Sequence, residues 1–284
     1  MMRSFAIAGL QLNLETADNI DLISRKIDSV MRRFPWVQMV IIGELAGFGP
    51  RPSTAETMPG PTENHFGSIA KKHKIWLLPG SLYEQSDGKV YNTTPVLNPE
   101  GEVVTRHRKL YPFLPYEQGI EYGEQITVFD IPDVGRFGVS ICYDMWFPET
   151  TRAMVSAGAE VILHPTMTNT SDREVETVIA RASAVQNQCY FVDINSVGEI
   201  GYGRSSVIGP QGEVIYQAGC GEEIVTAELD LEQVRRVRER GIMGLGQTLK
   251  SFRDAPIKYV VYENGLHGRE GLSKLGTLEV PGRI

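Results

Sequence analysis

The 284-residue chain has only three cysteines, Cys142, Cys189 and Cys220. An odd, sparse set excludes a disulfide framework and suits unpaired thiols in a reducing compartment. The five histidines, His65, His73, His107, His164 and His267, lack ligand spacing, so neither a metal nor a cofactor is expected. Basic residues are outnumbered, 28 Lys and Arg against 35 Asp and Glu, giving a formal net charge of −7. That balance argues against a nucleic-acid partner, which needs a basic face. No run approaches the roughly 20 apolar residues of a membrane span, and Met1-Met2-Arg3-Ser4-Phe5 carries no signal-peptide pattern. The expectation is a cytoplasmic protein that engages neither membrane nor nucleic acid. Low-complexity linkers and repeats at solenoid periods are also missing. The chain is long enough to bury a sizeable core, as one large or two small domains.

What is present is a regular alternation of apolar strands and amphipathic helices. Strands are expected at 5–12, 37–42 and 75–83, with helices at 18–34 and 62–73. Two hairpins share one grammar, Pro-x-Gly between β-branched runs, at 96–104 and 207–215. Their recurrence suggests two similar halves, each a sheet layer covered by helices. The second half reads as strand 135–141, helix 148–157, strand 161–164 and helix 174–188, then strands at 190–195, 203–208, 214–216 and 223–229. The pattern predicts an α/β fold of two mixed sheets packed face to face with helices outside.

Three chemically competent residues end strands in this scheme. Val37 to Ile42 leads into Glu44, Arg106-His107-Arg108 leads into Lys109, and Phe137 to Ile141 leads into Cys142. A strand-end charge is usually just solvated, and a lone cysteine is usually a small buried hydrophobe. Three such residues at equivalent edges, where α/β sheets build their sites, favour chemistry. Cys142 precedes a helix start at Pro148-Glu149, and unpaired N–H groups with a helix dipole would favour its thiolate.

In that order Glu44, Lys109 and Cys142, 65 and 33 residues apart, resemble the catalytic triad of the nitrilase superfamily of carbon–nitrogen hydrolases. Supporting matches are Ala6-Ile7-Ala8-Gly9-Leu10-Gln11, Tyr91-Asn92-Thr93, Arg108-Lys109-Leu110, Arg181-Ala182 and Gln186-Asn187. Glu117 matches a second glutamate that many members place beside the cysteine. One departure is Gly43, where the family usually has proline, and glycine would loosen the backbone at Glu44. The resemblance implies a four-layer αββα sandwich, a single domain over 1–284, and a thioester mechanism without metal. Glu44 would take the Cys142 proton and later activate water. Lys109 and the N–H of Tyr143 would hold the oxyanion, and Glu117 would orient Lys109 or the substrate. His164 also suggests a Cys–His hydrolase, but its place before Pro165 favours a structural role.

The partner the resemblance implies is a small-molecule amide with water. Cys142-Tyr143-Asp144 differs from the Cys-Trp-Glu of true nitrilases, and Tyr143, Met145 and Trp146 replace the carboxylate clamp of carbamoylases. The loop from Lys109 to Glu117 is similar to the aliphatic amidase and formamidase branch. Tyr116, Tyr143 and Trp146 are the candidate substrate-binding residues, within a set that includes Tyr111 and Phe113. Hydrolysis of a small linear amide is the leading reading. An N-carbamoyl amidohydrolase, a nitrilase, an ammonia-delivering glutaminase module and a non-catalytic nitrilase-like binding module remain open. The helices at 148–157 and 174–188 carry small and apolar residues that would seat a second copy, and the resemblance implies a homodimer or higher even oligomer. The stretch 241–284, with 257–262 as its one strand-like segment, is too short of apolar residues for its own core. It is expected to drape over the neighbouring subunit.

Overall fold

Residues 4–262 and 271–280 are described in the computed structural model. The strands in chain order are β1 (Phe5–Gln11), β2 (Asn13–Leu14), β3 (Met39–Ile42), β4 (Trp76–Leu78), β5 (Leu82–Ser86), β6 (Lys89–Leu97), β7 (Val103–Arg108) and β8 (Thr127–Ile131). They continue as β9 (Gly135–Val139), β10 (Val161–Pro165), β11 (Tyr190–Ile194), β12 (Val197–Gly198), β13 (Ser206–Ile208), β14 (Val214–Gln217) and β15 (Glu223–Leu229). The helices are α1 (Ile20–Arg33), α2 (Pro61–His73), α3 (Pro148–Ser156), α4 (Arg173–Asn187), α5 (Leu231–Arg240) and α6 (Thr248–Asp254).

Seven strands form one sheet in the order β15-β1-β3-β4-β6-β5, with β7 on β6, and six form the other in the order β14-β13-β11-β10-β9-β8. Each has a parallel centre, β1-β3-β4 and β9-β10-β11, flanked by antiparallel strands. Side-chain alternation sorts the core into layers. Ile7, Met39 and Ile41 meet Phe137, Val139, Leu163 and Val192 between the sheets. Their neighbours Ala8, Val40 and Ile42 face outward onto Ile23, Ile27 and Val30 of α1 and Phe66 of α2. On the second sheet Ile162 and Phe191 face Met154 of α3 and Ala180 and Ala184 of α4. Strands buried on both faces read as unbroken apolar runs, and each fully buried aliphatic contributes about 1.5–3 kcal/mol. The result is the expected αββα sandwich.

The structure departs from the sequence reading in several places. The strand expected at 75–83 is two, β4 and β5, because Pro79-Gly80 breaks it and Gly80 takes a φ of +83°. A Cβ on Gly80 would lie 2.0 Å from the Gly43 carbonyl oxygen, so glycine is required there. β8 and α5 were not expected. α5 buries Leu231, Val234 and Val237 and is capped by the Asp230 side chain, which accepts from the Glu232 N–H. Within 257–262 no strand forms; Val260–Tyr262 is a short 3-10 turn near the surface. The part of the tail between Thr248 and Tyr262 lies back on its own chain. Thr248 and Leu249 bond Gln186 and Gln188 at the end of α4, Arg152 sits over Phe252, and Tyr262 donates to Glu149. Among the described residues no helix is long and apolar enough to cross a membrane.

Candidate active site

Two sheets bring the strand-end residues together because their parallel centres end at the same edge. The Glu44 N–H donates across the sheets to the Thr166 carbonyl at 3.1 Å. A Cβ on Gly43 would lie 2.9 Å from that same carbonyl oxygen. Glycine thus permits the close approach. β7 alternates: Arg106 and Arg108 turn out to bidentate pairs with Glu63 and Glu84, while His107 and Lys109 turn inward.

Lys109 Nζ lies 2.8 Å from Glu44 Oε1 and 2.7 Å from Glu117 Oε2. The Asn92 side-chain amide donates to both carboxylates, at 2.8 Å to Glu44 and 3.3 Å to Glu117. The Asn92 carbonyl also accepts from the Lys109 N–H, and the Phe113 N–H donates to Glu117 at 2.6 Å. One ammonium is thus clamped by two carboxylates in a pocket where Glu44 and Lys109 are buried. Burial works against charge on Lys109, but Glu44, Cys142 and Glu117 outweigh it and hold its pKa well above the ordinary value. Burial raises the Glu44 carboxyl, Lys109 opposes the rise and Glu117 adds to it.

Cys142 opens a 3-10 turn, Cys142–Trp146, and adopts a φ of +45°. That left-handed conformation is uncommon for a residue with a Cβ and marks stored strain at a site. The thiol is 8% exposed and feels the Glu44 carboxylate electrostatically. Its sulfur lies 3.9 Å from Thr168 Oγ1 and 4.0 Å from the Met167 carbonyl oxygen. Burial first, then Glu44, push the thiol well above its ordinary pKa against the pull of Lys109. The expected resting thiolate is therefore corrected to a neutral thiol. α3 begins only at Pro148, beyond the 3-10 turn that Cys142 opens, and burial is the largest influence on the thiol.

Asp144 ties the pieces to one another. It accepts from the Ile141 N–H before the cysteine, from the Tyr111 N–H after the lysine, and pairs with His107 Nε2 at 3.1 Å. His164 is buried against Ser140 Oγ at 2.7 Å, and burial lowers its pKa to about 4, so it stands as a neutral structural group. Of the aromatic candidates, Tyr143 packs on Phe113, Trp146 and Phe147, while Tyr116, 60% exposed, stacks on Phe113 at the rim. Tyr111 stacks on Phe147 instead. Sequence reasoning quoted Asn92 only within a hairpin motif and passed over Thr168 and Glu176, which approach Cys142 from the ends of β10 and α4.

Residues 5–239 match the family model described as carbon-nitrogen hydrolase. An omega-amidase NIT2-B from Xenopus laevis is 31% identical over 204 residues, covering 66% of this chain and 74% of the relative. The omega-amidase NIT3 of Saccharomyces cerevisiae is 29% identical over 84% of this chain and 91% of its own. The crystal structure of yeast Nit3, a nitrilase-superfamily member, superposes with a TM-score of 0.77 over 84% of this chain and 94% of that one, at 29% identity. An amidase from Nesterenkonia sp. shares the fold at a TM-score of 0.74 and 24% identity, covering 84% of this chain and 95% of its own. A sandwich of this layering, closed around a buried thiol, lysine and paired glutamates, belongs to the carbon–nitrogen hydrolase family, and this chain is a member of it.

Proposed function

We propose that the protein hydrolyses a small linear amide to a carboxylic acid and ammonia through a thioester on Cys142, with Glu44, Lys109 and Glu117 as its catalytic partners. The observation that carries this reading is the clamp: an ammonium fixed between two carboxylates, one of which also acts electrostatically on the buried thiol. Glu44 takes the Cys142 proton as sulfur attacks the carbonyl carbon. The oxyanion is held by Lys109 and the Tyr143 N–H. Glu44 then protonates the amide nitrogen, the C–N bond breaks and ammonia leaves. Water enters, gives a proton to Glu44 and attacks the thioester; the C–S bond breaks and the thiol is restored. Charge is conserved over the cycle: the Cys142 proton leaves with ammonia, and a proton from water, passed through Glu44, restores the thiol. The names of the omega-amidase relatives, and a butyramide complex of the Nesterenkonia amidase, support an amide as substrate. Tyr116, Tyr143 and Trp146 would form the substrate wall.

An ammonia-release assay over amides, nitriles and N-carbamoyl amino acids tests the reading. Turnover confined to nitriles or carbamoyl compounds would overturn it, and turnover of none would favour the binding-module alternative. Glu117→Gln keeps volume but removes the charge facing Lys109, so activity should fall about a hundredfold or more with folding intact. A full rate in that variant would make Glu117 structural only. The raised Glu44 pKa also sets a pH dependence. Its base form is lost as pH falls through a value above the ordinary 4.5, so the acid limb of kcat/KM lies above that value. A limb at the ordinary carboxylate position would contradict Glu44 as base.

The free thiols suit a cytoplasmic setting. A single domain over 1–284 working as a homodimer or higher even oligomer extends the proposal. Val175 and Val178 of α4 are 48% and 67% exposed, an apolar face that a second copy would cover. Light scattering should give an even multiple of the 31.6 kDa chain, and truncation after Arg240 should weaken association. A fully active monomer would refute this.

A further inference from the structure

Beside the Glu44–Lys109–Glu117 clamp, a second buried charge cluster reaches the nucleophile from the other sheet. Thr168 Oγ1, 3.9 Å from Cys142 Sγ, donates its proton to Glu176 Oε1 at 3.0 Å. With that proton committed, the hydroxyl presents only lone pairs toward the thiol. The Met167 carbonyl, 4.0 Å from the sulfur, is likewise an acceptor. Trp146 Nε1 closes the same wall, 3.4 Å from Glu176 Oε1.

The cation behind this wall is fully committed. Arg173 donates to Glu176 at 3.1 Å, pairs with Asp193 at 2.7 Å, and uses its remaining bonds on the Gly203 and Arg204 carbonyls. Arg173, Glu176 and Asp193 are all buried. One guanidinium facing two carboxylates leaves no positive charge to spare, whichever protonation state Glu176 adopts. Lys109 is likewise held between Glu44 and Glu117. Asp144 adds a further carboxylate next to the nucleophile, with His107 as its partner. Among the described residues, the cations around Cys142 are therefore outnumbered by acidic groups and already paired. A carboxylate brought into this pocket on a substrate would be buried without a partner, the arrangement that is most unfavourable for a charge.

We infer that the site accepts uncharged or ammonium-bearing amides and excludes amides whose acyl chain ends in a carboxylate, with Glu176 as the specificity-determining residue. The inference rests on the amidase reading above and names its substrate class. Three amides with the same three-methylene spacer test it: pentanamide, 4-aminobutanamide and the monoamide of glutaric acid. For the wild-type protein, kcat/KM for the first two should exceed that for the acidic monoamide by about a hundredfold or more, as expected for like charges meeting in a buried site. Glu176→Gln keeps the shape and removes the group that can carry negative charge on this wall, so the ratio of acidic monoamide to pentanamide should rise about tenfold or more. A wild-type salt series does not depend on the variant folding. Added salt should raise kcat/KM for the acidic monoamide, lower it for 4-aminobutanamide and leave pentanamide level. Turnover of the acidic monoamide equal to or above that of pentanamide would overturn the inference and leave the amidase reading standing. An unchanged ratio in a folded Glu176→Gln protein would remove the role of Glu176. Failure to turn over any of the three would overturn both.

Discussion

Replacing Cys142 with serine should lower kcat by about a thousandfold or more while leaving the fold intact. Burial and Glu44 hold the resting thiol in its neutral form, so the proton must move during the attack. Glu44, whose charge already acts on the buried thiol, is the base proposed to receive it. A serine hydroxyl at the same site is a far weaker acid than a thiol, and the same buried glutamate cannot strip it at a useful rate. Serine tolerates the +45° φ no worse than cysteine, so folding should be unaffected. Ammonia release gives the rate, and mass spectrometry of the wild type mixed with a slow amide should place an acyl group on Cys142. Undiminished turnover by the serine variant would exclude covalent catalysis.

Lys109→Met should destroy activity and also destabilise the fold, by about 3–5 kcal/mol, the usual consequence of leaving buried charge unpaired. Glu44 and Glu117 would then face each other across Asn92 with no cation between them. The sign of the pH dependence follows. Without Lys109 the Glu44 pKa, already raised, rises further above its unfolded value. The penalty is therefore full at high pH, where the unfolded carboxylate is ionised, and shrinks as pH falls and the buried acid takes up its proton. Urea denaturation of wild type and variant at neutral and mildly acidic pH measures this directly. A variant as stable as wild type at neutral pH would show that the clamp has no structural weight.

The layers were legible in the sequence because burial on both faces of a sheet leaves continuous apolar runs, as in Met39 to Ile42 and Val161 to Leu163. Glu44 and Cys142 stood out because each interrupts such a run at its end, whereas Lys109 ends a polar strand and stood out through its order and spacing with the other two. Thr168, Glu176 and Asp144 left no comparable mark. Their relation to Cys142 arises from the parallel register of β9, β10 and β11 and from the packing of α4 against the 3-10 turn. Neither is written into local periodicity. α5 was missed although Asp230 and the apolar spacing of Leu231, Val234 and Val237 signal it. The split at Pro79-Gly80 was missed because apolar and aromatic residues on both sides, Trp76-Leu77-Leu78 and Leu82-Tyr83, masked the break.

The neutrality of the resting thiol shapes how such a protein can change over generations. Losing Cys142 removes the reaction but strands no charge, so a descendant without it keeps a sound sandwich with an aromatic-rimmed pocket. Losing Lys109 first strands two carboxylates, and losing Glu44 first strands part of an ammonium's partnership. Decay from enzyme to binding scaffold therefore has a downhill direction, beginning at the cysteine and reaching the lysine last. Traversed the other way, the clamp is a foundation onto which a single nucleophile can be set.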